Sequence, residues 1–258
     1  MLASASFTWA NQPIAELIWV NSEKTIDGFE HHIMLSSMHI DTQTNAQIWS
    51  EPVSVYQSVN LLTGPTMITQ TQPSSDISRK TLIWSENERL KSVLKIMHKS
   101  QADDNWEAET TLTRFGKDNL GPAAIVDANN VIWVFWAATK EELSDIFYIH
   151  SEGLGWTQAK QFNTKNKVPD YQPQLSNTLE GDIEVSWYTY SFVLTDYRRA
   201  KKLIQLELGP KVSYKANVLE TELSKADLPI PSFVPLNKTV VLHFPNNKLT
   251  QSYFLQDD

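Results

Sequence analysis

Residues 131–136 read VIWVFW, Val131 to Trp136, and Gly155-Trp156-Thr157 brings a further tryptophan soon after. The first of these runs has relatives along the chain. Leu17-Ile18-Trp19-Val20, Leu82-Ile83-Trp84, Val131-Ile132-Trp133-Val134 and Ile183-Glu184-Val185-Ser186-Trp187 are short β-branched runs that carry tryptophan, and Val240-Val241-Leu242-His243-Phe244 has phenylalanine in its place. A second aromatic series, Trp49, Trp106, Trp156 and Tyr214, follows the first four runs after a strand-like stretch and a polar turn. A third series, Pro65, Pro122, Pro173 and Pro231, precedes the runs and suits the first residue of a strand, where a missing N–H matters little.

Three series in phase define a unit of about 50–58 residues holding about four strands. Helical periodicity is confined to Glu141–Ile149 and Leu194–Leu203. Many short strands separated by regular turn signals predict an all-β repeat array, and a four-stranded unit of this length is the size of a β-propeller blade. The expectation is a single domain over residues 1–258, with five four-stranded blades at 7–64, 65–121, 122–172, 173–230 and 231–258. The last unit is one strand short. Ser4–Ala10, with Trp9, either supplies that strand and closes the ring or forms the inner strand of the first blade, leaving an incomplete blade. Most of the recurrent tryptophans then fill the wedges between neighbouring blades.

Composition bounds the function. The chain has 258 residues, 41% hydrophobic and 20% charged, enough to bury a core. Its net charge of -8 repels phosphate backbones, so nucleic acid is not an expected partner. Cysteine is absent, which excludes disulfides, thiolate metal sites and a cysteine nucleophile. No run of 18 apolar residues predicts a membrane span. Leu2-Ala3-Ser4-Ala5 reads either as the tail of a cleaved signal peptide, which favours a secreted or periplasmic location, or as an ordinary terminus. No nucleotide, dinucleotide or Gly-x-Ser-x-Gly fingerprint is present, so no cofactor is expected. His31 and His32 are adjacent and point to opposite faces of a strand, so no metal site is expected there.

The unit running from Asp118-Asn119-Leu120-Gly121-Pro122 through Val131–Trp136 to Ser151-Glu152-Gly153-Leu154-Gly155-Trp156-Thr157 resembles the Asp-box (BNR) repeats of sialidase-like β-propellers. Ser151–Trp156 keeps the serine, glycine and tryptophan of that turn but has Glu152 and no aspartate. Ser100–Trp106 keeps Ser100, Asp103 and Trp106 without the glycine. The resemblance implies a propeller with structural Asp-box turns away from the functional rim. It also implies that sialidase activity needs three convergent arginines, whereas the five here, Arg79, Arg89, Arg114, Arg198 and Arg199, fall in two of the units.

On the expected functional rim, acids precede three of the prolines: Asp118, Asp170 and Asp227. They read either as a ring of carboxylates for sugar hydroxyls, a cation or an amine, or as turn residues that accept local N–H bonds. The second-to-third strand connections add Glu86 and the aromatic, basic stretch holding Tyr188, Tyr190, Tyr197 and Arg198, which suits sugar stacking or a carboxylate. Asp118, Asp170, Asp227, Glu86, Tyr188, Tyr190, Tyr197 and Arg198 are therefore the candidate ligand-binding residues. The leading expectation is a non-catalytic module that binds a glycan or protein partner. The alternatives are a glycoside hydrolase using Asp118, Asp170 and Glu86, and a structural module of a larger secreted assembly.

Overall fold

The computed structural model describes residues 15–41, 44–71, 78–100, 105–140, 142–163, 166–179, 181–191, 196–206, 216–224, 239–244 and 249–254. Every regular element among them is a β-strand, so the chain is all-β. Ala15–Thr25 (β1), Gly28–Ile40 (β2), Gln47–Trp49 (β3) and Val53–Ser58 (β4) belong to the first sheet, where β3 and β4 both pair with β2. Leu62–Thr71 (β5), Ser78–Glu88 (β6), Lys91–Ser100 (β7) and Thr110–Thr113 (β8) form the second in sequential order. The third holds Asn119–Val126 (β9), Ile132–Thr139 (β10) and Ser144–Glu152 (β11), with Gly155–Trp156 (β12) and Lys160–Gln161 (β13) both on β11. Asp170–Asn177 (β14), Ile183–Ser191 (β15), Asp196–Leu206 (β16) and Ala216–Ser224 (β17) make the fourth.

The remaining strands depart from the expected fifth unit. Thr239–Phe244 (β18) pairs with β1, placing His243 opposite Glu16, and Leu249–Phe254 (β19) pairs with β18. The C-terminal strands thus join the first sheet, where they cover the edge of β1 that β2 leaves open. The described residues contain four sheets rather than five. From Ser144 and Asp196 onward, the two stretches with helical periodicity lie in β11 and β16, because their apolar positions also fit strand alternation. Ser4–Ala10 lies outside the described residues.

Alternation along the second strands builds the core. Val134, Trp136 and Ala138 of β10 pack with Ile83, Leu94 and Ile96 of the second sheet. Trp133, Phe135 and Ala137 on the other face of β10 pack with Ile183, Val185 and Trp187 of the fourth. Ile18, Val20 and Ile33 of the first sheet pack with Leu82, Trp84 and Met97 of the second. Each sheet from the second to the fourth therefore turns one face to the sheet before it. Trp84, Trp133, Trp136 and Trp187 are the tryptophans buried in these faces, whereas Trp49 is exposed.

The described prolines of the series do not start the strands, and Pro231 lies outside the described residues. Pro65, Pro122 and Pro173 sit inside β5, β9 and β14 at β-bulges, where the ladder has no partner for the missing N–H. The residue before each proline is left-handed: Gly64 at φ 55°, Gly121 at φ 57° and Gln172 at φ 50°. Opposite the three bulges stand Trp84, Trp136 and Trp187. Trp136, not Trp133, is therefore the counterpart of Trp84 and Trp187. VIWVFW holds both tryptophans with an odd separation, so they face opposite sides and spacing alone does not choose between them.

The bulges of neighbouring sheets also touch. A Cβ added at Gly64 would lie 3.2 Å from the Gly121 Cα and 3.3 Å from the Pro122 Cδ. Gly64→Ala combines that contact with a strained backbone, and it is expected to destabilise the protein by about 2 kcal/mol or more. Urea unfolding of the variant against the wild type measures this, and an unchanged midpoint would contradict the bulge-to-bulge packing.

Candidate functional site

Asn119, Asp170 and Leu62 each precede a bulge proline by three residues and open their strands at the same end. Asn119 is buried. Its Oδ1 accepts the Trp136 indole N–H at 2.8 Å and its Nδ2 donates to the Ser92 carbonyl of the second sheet at 2.7 Å. Asp170 is also buried, and its Oδ1 accepts the Trp187 indole N–H at 3.0 Å. Its Oδ2 accepts the side-chain amides of Asn163 and, at 2.9 Å, Asn166, both from the stretch leading out of the third sheet. Asn163 donates as well to Asp145 Oδ1 at 2.9 Å and accepts the Ile146 N–H at 3.0 Å. A buried polar side chain thus holds an indole of its own sheet and a group of the sheet before it.

The second sheet solves the same problem from the opposing strand. Leu62 fills the place of Asn119, and Glu86 stands opposite it, as Ala138 stands opposite Asn119 and Thr189 opposite Asp170. The buried Glu86 carboxylate accepts the Tyr56 hydroxyl at 2.9 Å, the Ser58 hydroxyl at 2.8 Å and the Asn60 amide at 2.8 Å, all from the end of the first sheet and the connection after it. Burial, then the bond to Glu86, pushes the Tyr56 hydroxyl far above its ordinary range. The Trp84 indole N–H is left buried without a hydrogen-bond partner.

These contacts place the sequence candidates. Glu86 and Asp170 belong to different sheet junctions and are held by several donors each. Asp118 is half-exposed, and its backbone carbonyl accepts the Thr139 N–H at 3.2 Å. Asn119, the residue after it, takes the buried place that the sequence assigns to the acid. Asp227 lies outside the described residues. His31 and His32 pair separately with Ser22 at 2.7 Å and Ser54 at 3.1 Å.

The aromatic candidates do converge. Tyr188 and Tyr190 of β15 face the same side, opposite Arg199 and Tyr197 of β16, and Tyr171 of β14 stands opposite Tyr188. Tyr190 and Tyr197 meet edge to face at 5.3 Å, and Tyr171 lies 6.4 Å from Tyr197. Tyr188 is buried at the base of this group, while Tyr171 is 38% exposed at its edge. Burial, then Tyr197 and Asp170, raises the Tyr171 hydroxyl above its ordinary value, so it is a neutral donor and acceptor at physiological pH. Arg199 donates to Ser186 at 2.9 Å and to Gln174 on the same face. Alternation turns Arg198 to the other face, where its Nε is buried without a partner. The arginine of the tyrosine face is therefore Arg199, not Arg198.

The same face of the third sheet is apolar. Trp133, Phe135 and Ala137 occupy the positions of Glu184, Ser186 and Tyr188, and they are buried against the fourth sheet. On the fourth sheet this face is polar and aromatic instead, with Lys201 and Glu184 paired at 3.0 Å. Sequence reading missed Tyr171 because it searched the strand-entry segments for acids. Asn119 is hidden in the sequence by Asp118 beside it, because only the strand register shows that the buried row stands three residues before each bulge proline.

Two consequences are measurable. Replacing Trp136 or Trp187 by Phe leaves a buried acceptor without its donor, and Trp84→Phe removes a donor that has no partner. Trp84→Phe is expected to be about 1–2 kcal/mol less destabilising than the other two in urea unfolding. Burial, above all, raises Asp170 above its ordinary 3.8, with Asp145 adding to the shift and the bonds from Thr189, Asn166 and Trp187 opposing it. A carboxyl whose folded value is raised favours folding below the unfolded value and loses that contribution as pH rises through the folded one. The wild type should therefore lose stability relative to Asp170→Asn as pH rises from about 4. A relative gain over that range would contradict the assignment.

No family model matches the chain, and no curated protein matches it. Among solved structures it is similar to a protein of unknown function from Dyadobacter fermentans DSM 18053, with a TM-score of 0.47 and 12% identity, over 96% of this chain and 85% of that one.

Proposed function

We propose that the chain is a non-catalytic binding module that takes a glycan on the tyrosine face of its fourth sheet. The observation that carries this reading is the grouping of Tyr171, Tyr188, Tyr190 and Tyr197 on one side of β14, β15 and β16, with Tyr171 open at its edge. Tyrosine offers a rigid apolar ring for the C–H face of a sugar and a hydroxyl for its polar rim, with little side-chain freedom to lose. Gln174, Ser186 and Arg199 supply further polar groups on that face.

The hydrolase reading fits less well. It needs two carboxyl groups about 5–10 Å apart across a sugar. Glu86 and Asp170 lie at separate junctions with their oxygens already engaged. Asp145 and Asp170 are close, but the amide of Asn163 sits between them.

The architecture proposed with this function is a propeller in which the four sheets are blades around β5, β9 and β14. The contact of the Gly64 and Gly121 bulges and the repeated packing of each sheet on the one before support it. In this arrangement β18 takes the first-strand place of the first blade through its pairing with β1. The likeness to Asp-box repeats is supported by the Ser151–Trp156 hairpin, which joins β11 to β12 with Gly153 at φ 57°.

The test is a screen on a printed array of mono- and oligosaccharides, run beside a panel of fluorogenic glycosides. Binding without turnover is expected, and Tyr171→Ala and Tyr197→Ala should each weaken it about tenfold, ~1.4 kcal/mol. Turnover would overturn the ranking in favour of a hydrolase. Silence in both assays would move the weight to the assembly module.

A further inference from the structure

The three bulges before Pro65, Pro122 and Pro173 are equivalent in register, and the first two use glycine at the left-handed position. The third has Gln172 at φ 50°. Left-handed backbone is unfavourable for a residue with a Cβ, and glutamine lacks the short side chain that lets asparagine or aspartate tolerate it. The other described non-glycine residues with positive φ, Asn45, Arg89 and Asn130, sit outside the strands, where such a conformation belongs to the turn. Gln172 alone among them interrupts a strand.

Three further observations bear on what this side chain does. Gln172 follows Tyr171, the open edge of the tyrosine group. It is half-buried, and its amide makes no hydrogen bond to any described residue. Its two sister positions, in sheets without a tyrosine group, carry no side chain at all. An unfavourable backbone conformation at a place where glycine would serve, with an unused amide next in the chain to an aromatic platform, points to a role for the side chain.

We propose that Gln172 is a specificity residue of the tyrosine face, whose carboxamide reads a hydroxyl pair of the bound sugar. This rests on the glycan reading above. A carboxamide offers a donor and an acceptor side by side, which matches two vicinal hydroxyls, one accepting and one donating. At the equivalent Gly64 an added Cβ points to the sheet that follows, and the tyrosine face is the face of the fourth sheet turned away from the sheet before it, so the bulge carries this group on the side of the ring that stacks.

Stability and affinity separate this role from a structural one. Gln172→Gly removes both the strain and the amide, so its urea midpoint should rise while its affinity for the saccharide best retained on the array falls about tenfold by titration calorimetry. Gln172→Asn tolerates the left-handed conformation but holds its amide one methylene shorter, and it should also lose affinity with little change in midpoint. If Gln172→Gly binds as tightly as the wild type while Tyr171→Ala does not, the inference falls and the glycan reading stands. If the wild type retains no saccharide on the array, both fall together.

Discussion

Each of the last three sheets buries one polar side chain in the same row, and that group reaches back to the sheet before it. Asn119 holds the Ser92 carbonyl, Asp170 holds the amides of Asn163 and Asn166, and Glu86 holds Tyr56, Ser58 and Asn60. A buried amide or carboxylate left without partners costs more than a satisfied one contributes, so such groups act as alignment devices. They fix which end of one sheet meets which end of the next, while the apolar faces around the tryptophans provide most of the cohesion. This row consists of two carboxylates and one amide whose polar atoms are engaged, and the proposed function places the ligand elsewhere.

The place proposed for it is the fourth sheet. Its tryptophan face does what the corresponding faces of the second and third sheets do, packing on its predecessor through Trp187, Val185 and Ile183. Its other face diverges. Where the third sheet has Trp133, Phe135 and Ala137, the fourth has Glu184, Ser186 and Tyr188, with Tyr171, Tyr190 and Tyr197 around the last. A repeat that is free to vary on a face not needed for the next apolar junction is a natural origin for a binding surface.

Much of this was legible in the residues. The recurring aromatic runs and proline positions give all-β sheets in series, but the second and third strands run further than the polar breaks suggest, so Glu86, Tyr188, Tyr190, Tyr197 and Arg198 lie within β6, β15 and β16 rather than in the connections between strands. What was not legible follows from short-range ambiguity. Trp133 and Trp136 are three apart in a strand, so only the bulge opposite Trp136 shows which one matches Trp84 and Trp187. The prolines look like strand starts because sequence does not display the bulge that accommodates them. The pairing of β18 with β1 joins residues more than two hundred positions apart, and no local pattern encodes it. At the site, Tyr188, Tyr190 and Tyr197 were found from their crowding in one stretch. Tyr171 comes from another strand, and Arg198 and Arg199 exchange roles because adjacent residues face opposite ways.

The central claim is that the tyrosine face, and not the row of buried carboxylates, meets the ligand. Tyrosine footprinting by nitration tests it on the unmodified protein, with and without the saccharide best retained on an array. Loss of labelling at Tyr171, Tyr190 and Tyr197, with Tyr56 at the Glu86 junction unchanged, is the predicted result. Protection at Tyr56 with none on the fourth sheet would contradict it, and would return the rim carboxylates to the centre of the function.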